Sequence, residues 1–193
     1  MNYVIYDFET TGLEARYDHP IQFAAVLVDE KFNILETFNE RCRLRDGAIP
    51  SPEALLISKV QIDSLKNEQS YYELMRKVSH KLQSWSPAIF FGYNNIRFDD
   101  ELLRHSFYQS LLNPYITTSN ENSRIDLFRI TCALAPLELN IINIPKKSNG
   151  MNWLSLEPLC KENNIEHKLA HDALADVMAT IGLAKIIQEK DPL

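Results

Sequence analysis

The chain has 193 residues, of which 45% are hydrophobic, enough for one domain with a sizeable core. Its net charge of −6 argues against a protein that coats nucleic acid non-specifically, because such proteins are basic. It does not exclude an enzyme acting on nucleic acid, since carboxylates that hold metal ions are neutralised when loaded. No apolar run reaches the length of a membrane span, and no basic region with an apolar core opens the chain, so a soluble, cytoplasmic protein without a membrane partner is predicted. Cys42, Cys132 and Cys160 are widely spaced with no C-x-x-C pair and read as free thiols without a zinc or nucleophilic role.

In chain order, residues 3–9 are apolar, aromatic and β-branched and are closed by Thr-Thr-Gly, which predicts a buried strand. A polar loop over 13–19 leads to a second strand over 21–28 and a partner over 34–44, together an antiparallel meander. A short helix over 50–57 has Ser51 as its cap ahead of Pro52. A longer helix begins at Ser70, with Tyr71, Leu74, Met75, Val78 and Leu82 at helical spacing as a core stripe. A compact strand over 88–93 precedes a helix reaching about residue 112. Residues 113–124 are turn-rich, 125–134 return to helix, and 136–152 read as a loop near the site. Two helices follow, over 153–163 and 170–189, the last with Leu174, Val177, Met178, Ile181 and Ala184 as its apolar face. Strands early and helices late predict a single α/β domain over 1–193, with one central mixed sheet flanked by helices.

Side chains two apart on a strand share a face. Asp7 and Glu9 therefore point the same way from a strand that is otherwise dry. Two such anions repel each other and resist desolvation, and a hard divalent cation such as Mg²⁺ relieves both costs. Alone, an Asp-x-Glu pair reads equally as a strand ending in solvent. Asp99 follows the 88–93 strand, where a helix cap is its plain explanation, and His171 precedes the last helix. Asp176 lies inside that apolar helix, and a carboxylate there needs a partner.

Asp7-Phe8-Glu9-Thr10-Thr11-Gly12, Asn94-Asn95-Ile96-Arg97-Phe98-Asp99 and His171-Asp172-Ala173-Leu174-Ala175-Asp176 occur in the order of three known motifs. With them the chain resembles the histidine-containing branch of the DEDD superfamily of 3′→5′ exonucleases. Further blocks, among them Gln22-Phe23-Ala24-Ala25, Asn122-Ser123-Arg124-Ile125-Asp126-Leu127 and Asn164-Ile165-Glu166-His167, extend the resemblance over almost the whole chain. It implies an RNase H-like fold and two divalent ions, Mg²⁺ or Mn²⁺. Carried over by position, it implies that Asp7, Glu9 and Asp176 hold the first ion, that Asp7 bridges to the second, that Asp99 orients its water shell and that His171 is the general base. Phe8 and Phe98 are candidates for stacking on terminal bases, with core packing an equal reading, and Thr10 for the 3′ hydroxyl region. Arg97, Arg104, Tyr115, Arg124, Lys146 and Lys147 are candidate substrate contacts, with surface charge as the plain reading for Arg104. Relatives in the branch carry an arginine where Ser155 falls and continue beyond this length, so loosely held substrate and low processivity are expected.

The expected activity is hydrolysis of single-stranded DNA from its 3′ end, releasing nucleoside monophosphates. RNA is the alternative substrate, because discrimination rests on contacts to the 2′ hydroxyl that the motifs do not specify. A silent binding module is disfavoured, since all four acids and the histidine are present. A monomer is expected, either a compact relative or the catalytic part of a longer polypeptide.

Overall fold

Residues Tyr3–Thr10 form β1, whose alternating side chains divide the molecule into two cores. Val4, Tyr6 and Phe8 enter one, with Phe23, Leu74, Val78 and Phe107. Ile5 enters the other, with Val26, Phe91, Val177 and Ile181. In the computed structural model, which describes residues 1–137, 140–167 and 171–190, β1 is the middle strand of a five-stranded sheet of order β3-β2-β1-β4-β5.

β2 (Pro20–Val28) and β3 (Ile34–Arg41) complete the predicted antiparallel meander, with Asp7 opposite Ala24 and Ala24 opposite Asn39. β3 stops short of residue 44 because Cys42 and Arg43 turn to Gln69, through a single bridge and a 2.9 Å backbone bond. β4 (Ile89–Phe91) and β5 (Ser123–Arg124) run parallel to β1 on its other side. β5 is a departure from the sequence expectation: two residues inside a polar segment carry no alternation to reveal a strand.

Local caps set the helix starts. Ser51 accepts from the Ala54 N–H to open α1 (Pro52–Ser58), and Ser70 with Glu73 forms a reciprocal capping box on α2 (Tyr71–Ser84). The predicted stripe of α2 is buried. α2 and α3 (Asp99–Gln109) cover the Tyr6 side of the sheet. α4 (Leu127–Leu134), α5 (Leu156–Glu162) and α6 (Ala173–Lys190) cover the Ile5 side. α5 starts later than the predicted residue 153, because the Trp153 N–H is bonded to the Pro145 carbonyl at 2.7 Å and belongs to a turn. The expected start of the last helix at 170 lies outside the described residues. Met178 is exposed, contrary to the predicted face, while Ala179, Thr180 and Leu183 are buried. α6 is apolar nearly all round, so its periodicity does not mark the side that packs. Among the described residues no helix is long and apolar enough to cross a membrane.

Candidate active site

Asp7 and Glu9 continue the Ile5 side of β1 toward its C-terminal end. Phe8, between them, is buried on the opposite face, its ring centroid 4.8 Å from that of Phe23. The first turn of α6 packs across this end of β1 and brings Asp176 to the pair. Carboxylate oxygens of Asp7, Glu9 and Asp176 lie within 4.8 Å of one another.

Asp99 arrives from the other side by a break in the sheet. β4 pairs with β1 only as far as Ile5 opposite Phe91. Gly92 then turns the chain away where a Cβ would stand 2.7 Å from the Tyr6 carbonyl. Beyond that break the Phe8 N–H donates to Asp99 Oδ1 at 3.2 Å. Asp126 holds the intervening turn, accepting from the backbone N–H groups of Asn94 at 2.9 Å and Ile96 at 3.4 Å.

The start of α6 is pinned to the sheet edge. Asp172 accepts from Arg41 and from Gln22, each at 3.2 Å, and from the Ala175 N–H at 3.3 Å. His171, just before the helix, has a φ of 69°, in the left-handed region that non-glycine residues seldom occupy. His167 Nε2 is hydrogen-bonded to Asp176 Oδ1, while its Nδ1 is buried without a partner.

This arrangement is electrostatically unfavourable by itself. Burial, and then the charges of Asp99, Asp176, Glu9 and Asp172, hold the Asp7 carboxyl well above the ordinary carboxylate range. Glu9 is pushed up to about 8 by burial and then by Asp176 and Asp172, against a smaller opposing pull from Arg41. Asp99 is pushed up to about 8 by burial, although the Phe8 N–H favours its anion. Burial also raises Asp176, with His167 opposing. Three crowded, hard oxygen donors fit a divalent cation of the Mg²⁺ or Mn²⁺ class, which removes the repulsion that raises them.

The acids form the floor of a cleft of about 950 Å³, lined also by Phe8, Thr10, Leu13, Ile57, Tyr93, Phe98 and His171. The Thr10 hydroxyl donates to the Gly12 carbonyl at 2.6 Å, so its proton is used within the loop. Arg104, Tyr115 and Arg124 do not line this cleft. Arg104 pairs with Glu101 at 3.3 Å, and Tyr115 is solvent-exposed. The Arg124 guanidinium, one strand beyond β4, bonds buried Asp100 at 3.0 Å, and the other oxygen of that acid takes the Tyr6 hydroxyl. Lys146 and Lys147 are exposed on the turn before Trp153. Arg97 lines an adjoining recess with Arg16, Tyr17 and Phe98. Sequence reasoning passed over Arg16, Tyr17 and His167 as site residues. His167 stands nine positions before Asp176 across a loop, where neither helical nor strand period marks a contact.

Residues 4–184 match the sequence profile of a protein family described as Exonuclease. The chain belongs to this exonuclease family. Among its relatives, the exodeoxyribonuclease I of Buchnera aphidicola subsp. Schizaphis graminum is 38% identical over 195 residues, covering all of this chain and 40% of that protein. The crystal structure of Escherichia coli exonuclease I in complex with a dT13 oligonucleotide superposes with a TM-score of 0.94 at 34% identity, over 99% of this chain and 42% of that one. A zinc-bound form of the E. coli enzyme with single-stranded DNA gives a TM-score of 0.92 at 35% identity, over 99% and 41%. The exonuclease-family fold is thus the RNase H-like one, its mixed sheet flanked by helices. This exonuclease-family chain spans about 40% of the length of the relatives it matches.

Proposed function

We propose that this chain is a metal-dependent 3′→5′ exonuclease that shortens single-stranded DNA from its 3′ end and releases nucleoside monophosphates. The observation that carries this reading is the convergence of Asp7, Glu9 and Asp176 at the floor of a cleft rimmed by His171. In this reading Asp7, Glu9 and Asp176 would hold one divalent ion of the Mg²⁺ or Mn²⁺ class, and Asp7 and Asp99 would serve a second. Bound divalent ions supply Lewis-acid stabilisation of the attacking and departing oxygens of an in-line displacement.

His171 takes a proton from the attacking water, an imidazole being suited to that at neutral pH. The water oxygen bonds to phosphorus, the bond to the upstream 3′ oxygen breaks, and that oxygen is protonated from solvent. Phe8 and Phe98 bound the part of the cleft that receives the terminal nucleotide, with Phe98 the more open of the two. The solved complexes of the E. coli relative with single-stranded oligonucleotides favour DNA over RNA as substrate.

The test uses 5′-labelled single-stranded DNA, its RNA counterpart and blunt duplex DNA, with Mg²⁺ or Mn²⁺. A ladder shrinking from the 3′ end of the single-stranded DNA is expected, abolished by chelator and by Asp7→Ala and slowed at least a hundredfold, on the order of a general base's contribution, by His171→Ala. A ladder on RNA alone moves the assignment to an exoribonuclease, and full activity of Asp7→Ala refutes the site.

A further inference from the structure

A second recess of about 310 Å³ opens beside the carboxylates, and His171 and Asp176 line both it and the main cleft. Its remaining wall is Trp153, Ser155, Leu156, Glu157, Pro158 and His167. Trp153 is 42% exposed, a large apolar ring left facing solvent next to the site. Its backbone is firmly seated: the Trp153 N–H bonds the Pro145 carbonyl at 2.7 Å, Lys146 bridges Asn152, and the Tyr93 hydroxyl donates to the Leu154 carbonyl. Ser155 stands at the N-cap of α5 with no side-chain capping bond, so its hydroxyl is available.

The chemistry of this lining selects the kind of group that fits. Among the described residues it contains, apart from the shared His171 and Asp176, an indole face, two aliphatic side chains, a hydroxyl, the His167 imidazole and one carboxylate, but no lysine or arginine. Away from the shared Asp176 edge a phosphate finds no lysine or arginine and meets the Glu157 carboxylate. A nucleobase finds a ring to stack on and acceptors for its N–H groups. Cations for the backbone stand outside, at exposed Lys146 and Lys147 on the same turn.

We infer that Trp153 and this recess form a stacking subsite for the base next to the scissile phosphate of a single-stranded substrate. The inference rests on the exonuclease reading above. A phosphate held at the shared Asp176 edge leaves its neighbouring base within one nucleotide step of the ring. Stacking on an aromatic platform tolerates every base, as a trimming enzyme requires.

The chain has two tryptophans, and Trp85 is buried with its indole N–H on Glu36, so ligand-induced change in emission reports Trp153. The probe is a 5′-labelled oligothymidylate with phosphorothioate linkages at its 3′ end, titrated with Mg²⁺ present. Quenching of the emission on saturation is expected in wild type and in Trp85→Phe. Trp153→Leu is expected to weaken binding, read by anisotropy, on the order of 5- to 150-fold, with Trp153→Phe recovering most of it. An abasic unit beside the 3′-terminal nucleotide should weaken wild type similarly and Trp153→Leu hardly at all. An oligonucleotide that is bound, and shortened when unmodified, with Trp153 emission and Trp153→Leu affinity unchanged overturns the subsite alone. One that is neither bound nor shortened overturns the exonuclease reading with it.

Discussion

Asp7 shows how a single side chain is made costly by its position. It sits at the end of a strand whose neighbours are buried, within reach of four other acids, and its carboxyl is held well above the usual range by burial first and those charges second. Replacing it with asparagine removes a charge and keeps the shape. In the presence of chelator, Asp7→Asn is expected to be more stable than wild type by about 1–2 kcal/mol at pH 8. The sign follows from linkage: a carboxyl whose folded pKa is raised costs stability above that pKa, and the cost disappears as pH falls toward the unfolded value. The gap between the two proteins should therefore narrow from pH 8 to pH 5, as thermal melts at each pH would show; a gap that widens toward pH 5 contradicts the account. Mg²⁺ should stabilise wild type and leave Asp7→Asn nearly unmoved, because ligand binding to the native state raises its stability by mass action. His171 is a second residue set by position, held at a φ of 69° immediately before α6. A non-glycine residue in that region costs on the order of 1–3 kcal/mol and persists only where the surrounding structure enforces it.

Among the elements, the short β4 decides where Asp99 lies. Three residues of pairing to β1 are followed by a turn that only a glycine passes without contact, since a Cβ on Gly92 would meet the Tyr6 carbonyl at 2.7 Å and Asn95 Cβ at 3.0 Å. The nearer obstacle is backbone of the central strand and does not yield easily. Gly92→Ala should cost about 2–3 kcal/mol, a Tm decrease of about 4–12 °C for a domain of this size. It should also displace the Asn94–Asp99 turn, so that metal-dependent turnover falls further than the lost stability accounts for. Unchanged melting would show that the turn relaxes at no cost. The Ser51 cap was legible at this scale because it is local, meeting a backbone N–H three residues on; Ser70, read from the sequence only as a helix start, does the same. β5 was not legible, being two residues whose only reason to extend is the edge offered by β4.

Over the whole molecule, the loop leading out of β1 is tied to the α2 side by His19. Its backbone exchanges bonds with Thr11, its Nδ1 faces the Pro20 carbonyl at 2.5 Å, and its ring lies 4.9 Å from that of Tyr71. Burial lowers its pKa to about 4 from the ordinary 6.5, with Arg45 adding to the effect. A histidine buried neutral must be charged on unfolding in acid. Its contribution is therefore complete above pH 6.5 and is lost as pH falls toward 4, about 3 kcal/mol in all. Wild type should lose that much more stability than His19→Gln between pH 6.5 and 4 in chemical denaturation; parallel curves would rule the histidine out.

The sequence by itself determined what depends on near neighbours. A period of two placed Asp7 and Glu9 on one face of β1, a period of 3.6 marked the buried stripe of α2, and Ser51 ahead of Pro52 marked a helix start. The three motifs in order carried the family and singled out the candidate acids. Only the tertiary structure decided which distant groups meet. It set Asp176 against β1, gave it His167 as partner, drew Arg124 to Asp100 and away from the cleft, and left Trp153 facing a recess beside His171. These outcomes depend on how helices seat on the sheet and which buried charge is nearest. Those distances arise from packing the whole chain at once, and no local period encodes them.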